Sequence, residues 1–344
     1  MKRWPDYVQA AREIYEACGL RPGETMTIYG DTGREPEVFD AFMAAAQGAG
    51  VDPATIRVPS RKPLVEPPPQ AVEAMANSDF IIDLATESWL YTPATTKIMR
   101  AGARMLQVLM PSENILKKRP RAEVARRARF VESLFDGETE VRIGSPDGSE
   151  LRASFEGRSP AAQDSVVRES GEWDSLGTAF VNVCPIEGSV EGEVVLNSTF
   201  YLAGGPSFIA SSPVWVTIRG GRIAEVKGGA DADRFQSWLE SFGDANLGVV
   251  AHLGFGFDEE SGPPPKLIED RDWVAWEAMH GGVIVAFGAN TIDIEFRKGK
   301  GSVGGKNVAA SHADCTVLGA DFYVGGTKVL ARGSFLFKEL GGEG

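Results

Sequence analysis

Thr25-Met26-Thr27-Ile28-Tyr29-Gly30-Asp31-Thr32-Gly33 decides the fold class: an apolar run ends on glycines and gives way to a helical pattern from Glu37 to Ala49. Strand, turn and helix in that order form the repeating unit of a parallel α/β sheet. Outward from this unit the alternation continues, with Tyr7 to Cys18 reading as a helix before it and Thr55 to Val58 and Phe80 to Leu84 as strands after it. The Gly30 to Gly33 turn offers backbone amides to an anion. It lacks the Gly-x-Gly-x-x-Gly and P-loop lysine patterns, so it is taken as a plain turn. Lys117-Lys118-Arg119-Pro120-Arg121, continued by Arg126, Arg127 and Arg129, has few aromatics among its charges and is expected to be a solvated helix face or a subunit contact.

From about residue 136 the texture changes to short β runs punctuated by turns, which places a domain boundary there. Val214 to Ile218, Gly220-Gly221 and Ile223 to Val226 predict a hairpin, and Asp231 to Phe242 a helix with Phe235, Trp238, Leu239 and Phe242 on one face. Strands are expected over Leu247 to Leu253 and Gly282 to Phe287, a helix near Trp273 to Met279, and closing β-structure from Asp314 to Phe337. An α/β domain with a parallel sheet is thus followed by a β-rich α+β domain. A chain of 344 residues with 43% hydrophobic content can bury a core in each.

The net charge of -13 repels phosphate backbones and anionic lipid, so neither nucleic acid nor membrane is an expected partner. No apolar run reaches bilayer length. The opening Met1-Lys2-Arg3-Trp4-Pro5-Asp6 leads into a polar helix without an apolar signal core, and a cytoplasmic location is expected. Cys18, Cys184 and Cys315 are odd in number and widely spaced, which suits reduced thiols.

The chain has three histidines, so a search for a metal or acid-base site is short. His252 lies in an apolar strand that ends in alternating glycines, Leu253-Gly254-Phe255-Gly256, where other backbone or a ligand can approach closely. His312-Ala313-Asp314 in an extended segment aims two ligating side chains at one face. Two imidazoles and a carboxylate make the facial triad that holds Fe(II) with three adjacent positions open. The same pattern is compatible with polar groups satisfied inside a core. His280 follows a predicted helix and is taken as a structural cap.

Five segments, in order, resemble one family: Gly171-Glu172-Trp173-Asp174, Pro185-Ile186-Glu187-Gly188-Ser189-Val190-Glu191-Gly192, His252-Leu253-Gly254-Phe255-Gly256, Val303-Gly304-Gly305-Lys306 and His312-Ala313-Asp314. The chain is similar to the 2,5-dihydroxypyridine 5,6-dioxygenases, closely from about 171 to 335 and in layout before residue 135. The resemblance implies an aminopeptidase T-like fold, with a Rossmann-like α/β domain over 1-135 and an α+β metal-binding domain over 136-344. It implies mononuclear Fe(II) on His252, His312 and Asp314, and opening of a hydroxylated pyridine ring with O2 to an N-formyl maleamate. It also implies a homo-oligomer in which one subunit's N-terminal domain shields another's cleft.

In the related peptidases, two-metal sites draw ligands from positions that match Phe180, His252 and Ile284. Phe180 and Ile284 cannot bind metal, which disfavours a two-metal hydrolase. Leu90-Tyr91-Thr92-Pro93 matches a segment whose histidine handles protons in the dioxygenases; Tyr91 replaces it, and Ser175 stands where relatives can carry another histidine. A tyrosine is a poor proton acceptor at neutral pH, so the ring substrate can differ. On this reading Leu90, Trp173, Phe180 and Phe255 are candidates to sandwich a flat ring. Lys306, Tyr91 and Asp174 are candidates for polar contact or proton handling, and Glu187 and Glu191 belong to a turn. The runner-up is a zinc metallohydrolase of the same fold, such as an aminopeptidase, that activates water on the same three ligands; a metal-free scaffold is the third reading.

Overall fold

The computed structural model describes residues 3–60, 66–90, 92–263, 273–291 and 304–342; Tyr91 lies outside them. A five-stranded, wholly parallel sheet has the order Ala54–Val58, Met26–Asp31, Phe80–Leu84, Arg104–Gln107, Trp173–Ser175. Helix Trp4–Ala17 buries Tyr7, Val8, Ala11, Ile14 and Tyr15, a stripe at helical spacing. The stripe packs on Val38, Phe39, Phe42 and Ala45 of helix Pro36–Gly48, and the Tyr15 hydroxyl donates to the Phe42 carbonyl at 3.0 Å. In the Gly30 to Gly33 turn the amide of Gly33 is taken by the Asp31 carboxylate at 2.7 Å, which also accepts from the amide and hydroxyl of Thr86. The turn is therefore filled by its own side chain.

Two antiparallel sheets follow, of eight and seven strands among the described residues. Strand alternation drives their packing: in Val214–Arg219, Val214, Val216 and Ile218 point inward while Trp215 and Arg219 are exposed. Leu151, Leu196 and Phe322 from the first sheet meet Phe200, Phe255, Phe287 and Val317 from the second in one apolar core. The second sheet has the order Phe208–Ile209, Thr199–Leu202, His312–Val317, Val283–Gly288, Val250–Gly256, Phe180–Val183, Ala161–Gln163. Among the described residues no helix is long and apolar enough to cross a membrane.

The basic run is solvated in part: Lys117, Arg119, Arg126 and Arg129 are exposed as expected, and the other three are not. Lys118 bonds Asp258 at 2.8 Å, Arg121 bonds Asp258 and Glu260, and Arg127, on helix Ala122–Ser133, bonds Glu259 and the Phe257 carbonyl. The reason is geometric: this helix and the turn before it lie against the end of strand Val250–Gly256, and the acidic turn there takes up their charge.

Candidate metal centre

One face of the seven-stranded sheet is the core; the other carries the chemistry. In strand Val250–Gly256, Leu253 and Phe255 enter the core, so His252, Gly254 and Gly256 face the other way. Ala313 and Cys315 likewise enter the core, leaving His312 and Asp314 on the opposite side. Strand Val283–Gly288 runs between them, pairing Ala286 with Asp314 and Gly288 with His312. A displaced register between Val250 and Leu253 marks an irregularity at His252 itself.

His252, His312 and Asp314 offer ligand atoms all within 4.8 Å of one another. Nε2 of His252 is 3.0 Å from Asp314 Oδ1, and Nε2 of His312 is 3.1 Å from Oδ2. The two rings lie 5.2 Å apart and 25° from parallel. His312 Nδ1 is 2.7 Å from the Ala289 carbonyl oxygen, which can only accept, so Nδ1 carries the hydrogen. In the neutral ring Nε2 is then a lone pair facing a carboxylate oxygen. Asp314 Oδ1 is buried with no amide, imidazole or alcohol donor aligned on it among the described residues. Facing acceptors at this distance need a proton or a metal ion between them. Donors at right angles around an ion ~2.1 Å away stand about 3 Å apart, so the three residues suit a divalent metal with mixed nitrogen and oxygen ligands. The Ala289 contact fixes the tautomer as outer partners of metal-binding histidines do. Gly288 makes it possible: its φ of +95° turns the strand end, and an added Cβ would lie 2.4 Å from the Ser311 carbonyl oxygen.

Burial alone would raise the Asp314 pKa, but His312 and His252 outweigh it and hold the carboxyl well below its ordinary range. Glu277, which the sequence reading passed over, is the reverse case. It is 7% exposed, and burial, then the Asp314 charge, push its pKa well above the ordinary carboxylate value. Tyr201, paired directly across from Asp314, is the second residue missed. Burial raises its pKa well above the ordinary value, and the carboxyls of Glu277, Asp314 and Glu87 add to the rise. Tyr201's signal was in principle available, since it sits in a strand-like run, but only the register reveals its partner. Glu277 gave no such signal, because helix Trp273–Glu277 is placed by tertiary contacts.

The other predicted residues divide. Phe180 lies on the face of His252, pairing with Gly256, and Ile284 shares that face. Phe255 does not: its ring is in the core, edge-on to Phe322 at 5.1 Å and Phe335 at 5.6 Å, which corrects its assignment to a substrate wall. Leu90 and Trp173 pack together in a core cluster of the parallel-sheet region. Asp174 accepts from the amides of Asp164, Ser165 and Ser175 and from the Thr178 hydroxyl, and so organises the 164–178 loop. Ser175 is buried and ends the Trp173–Ser175 strand. The Lys306 side chain is exposed, while its amide donates to Glu187 at 2.7 Å. Glu187 also pairs with Arg158 at 2.6 Å, which agrees with a structural turn. His280 bonds the Leu340 carbonyl at 2.9 Å, a structural role as expected, though with the C-terminal turn as partner.

Gly256 brings Glu277 in. A Cβ there would lie 2.4 Å from the Glu277 carbonyl oxygen and 2.5 Å from backbone atoms of Ala278 and Met279. Gly256→Ala is expected to push this segment off the strand and cost at least about 2 kcal/mol. Urea denaturation checks this; an unchanged midpoint would show that the segment yields freely.

Comparison with known proteins gives the family and the fold. The family described as 2,5-dihydroxypyridine 5,6-dioxygenase matches residues 6–337. The 2,5-dihydroxypyridine 5,6-dioxygenase of Pseudomonas putida is 24% identical over 273 residues, covering 78% of this chain and 74% of that protein. The solved structure of the 2,5-dihydroxypyridine dioxygenase from Pseudomonas putida KT2440 is similar with a TM-score of 0.83 at 20% identity, covering 96% of each chain. AmpT from Thermus thermophilus follows with a TM-score of 0.65 at 14% identity, covering 97% of this chain and 100% of that one. The two structures show an aminopeptidase T-like fold, and the match over nearly the whole length settles the family: this chain belongs to the 2,5-dihydroxypyridine 5,6-dioxygenases.

Proposed function

We propose that the chain is a mononuclear Fe(II) dioxygenase that opens a hydroxylated pyridine, or a similarly electron-rich aromatic ring, with O2. The observation that carries this reading is the convergence of His252, His312 and Asp314 on one face, with the second nitrogen of His312 held by Ala289. Fe(II) bound there would supply adjacent open positions for the ring oxygen and O2 and a path for electrons between them. The chain supplies the rest. Gly254 and Gly288, beside the triad, let neighbouring backbone pass close: an added Cβ would lie 1.8 Å from the Val181 carbonyl oxygen at the first and 2.4 Å from that of Ser311 at the second. Burial of the three ligands keeps bulk water away. The Tyr201 hydroxyl keeps its proton at neutral pH and can donate to an oxygen of the ring.

A two-metal hydrolase finds less support. Phe180 and Ile284, at the positions matched to peptidase ligands, share the His252 face and offer no donor to a second metal.

Anaerobic loading with Fe(II), followed by oxygen-electrode and absorbance traces with 2,5-dihydroxypyridine and related rings, tests the proposal. Iron-dependent oxygen uptake with loss of ring absorbance is expected, and His312→Ala should show neither. Zinc-dependent peptide cleavage without oxygen uptake would establish the hydrolase instead.

A further inference from the structure

We infer that Asn290 and Asn307 form a buried amide clasp that sets the positions of both histidine ligands and thereby the metal affinity of the centre. The inference rests on the proposed mononuclear site and adds two positioning residues to it. His252 sits in a β-bulge. The register of strands Val250–Gly256 and Val283–Gly288 runs from Val250 opposite Phe287 to Leu253 opposite Val285, so Ala251 and His252 together face the single residue Ala286. A bulge re-aims a side chain, and the direction of His252 then depends on what holds the bulged backbone. Asn290, 4% exposed, holds it: its Nδ2 donates to the Ala251 carbonyl at 3.0 Å.

The same residue reaches the second imidazole through the chain. Ala289, whose carbonyl accepts from His312 Nδ1 at 2.7 Å, is flanked by Gly288 and Asn290. Asn307 fixes both flanks. Its Nδ2 donates to the Gly288 carbonyl at 2.7 Å, its carbonyl accepts from the Asn290 amide at 3.1 Å, and its amide donates to Asn290 Oδ1 at 2.8 Å. A backbone amide only donates and a carbonyl only accepts, so these contacts settle which end of the Asn290 side chain is oxygen. Gly305, from a segment that carries the family resemblance, lets Asn307 come this close: an added Cβ there would lie 2.1 Å from the Asn290 carbonyl oxygen. Both side chains direct these hydrogen bonds to the chain beside the ligands, and support of this kind orients a metal-binding imidazole.

Reciprocity gives a test in the wild type, because a clasp that sets metal affinity must itself be tightened by bound metal. Anaerobic loading with Fe(II) is expected to slow hydrogen exchange at the Asn290 and Asn307 amides by about tenfold, with strand Thr327–Ala331 of the eight-stranded sheet unchanged. Exchange at those two amides that ignores the metal overturns the inference. Asn290→Leu keeps the volume and has no polar atom in its side chain. Titrated with Fe(II), and with Co(II) as a spectroscopic probe, it should bind about 10- to 100-fold more weakly than the wild type, with the visible Co(II) bands shifted. Val329→Ala, a truncation of a buried side chain in Thr327–Ala331, should lower the urea midpoint and leave affinity and bands unmoved, which separates positioning from stability. Wild-type affinity and bands in Asn290→Leu overturn the inference, and so does an equal loss of affinity in Val329→Ala. If Asn290→Leu does not fold, the exchange result decides alone. A wild type that binds neither ion would sink the proposed function itself.

Discussion

Asp314→Asn is expected to abolish iron-dependent oxygen uptake while leaving the protein folded. The substitution removes the one charged ligand of the triad, and at about 1.4 kcal/mol per tenfold a loss of ~4 kcal/mol in ion binding corresponds to roughly a thousandfold. The fold should survive because Ala313 and Cys315, on either side, carry this strand's core packing, while Asp314 itself faces away from the core. Far-UV circular dichroism and metal titration on the same sample separate the two effects. Retained oxygen uptake would remove Asp314 from the centre.

Asp258 is the second position where a single change should be large. Burial would raise its pKa, but Lys118, Arg121 and Ser261 bring it down from 3.8 to about 2. Since the folded value lies below the unfolded one, ionised Asp258 stabilises the native state fully above about pH 4. That contribution, on the order of 2 kcal/mol, is lost as pH falls from about 4 towards 2. Asp258→Asn leaves Lys118 and Arg121 without their buried partner and should cost about 3 kcal/mol at pH 7. Urea denaturation of both proteins across this range should show the gap narrow as acid is added. A gap that stays constant would mean that Asp258 charge is not what the clamp depends on.

What could be read in advance followed local chemistry. Phe80–Leu84 is a strand over the expected residues, and the helix expected over Glu37 to Ala49 runs over Pro36–Gly48. Apolar periodicity fixes such elements without help from the rest of the chain. Arg104–Gln107 escaped because a four-residue buried strand with an arginine and a glutamine carries no clear period. The His-x-Asp pair was legible because alternation alone puts its side chains together. By the same rule Phe255, three residues from His252, had to face away from it, so that assignment was correctable from the sequence. Glu277 was not, since nothing local connects it to Asp314; the connection runs through the close passage of backbone over Gly256.

The parallel sheet takes its last strand, Trp173–Ser175, from far along the chain, after the strands Glu140–Gly144 and Glu150–Ser154 of another sheet have intervened. On a translating ribosome the first four strands must therefore wait, with Arg104–Gln107 open at one edge, until residue 175 has emerged. An open edge invites pairing with other chains. Nascent chains paused before that point should recruit chaperones or aggregate, and chains paused after it should resist protease across the parallel-sheet region.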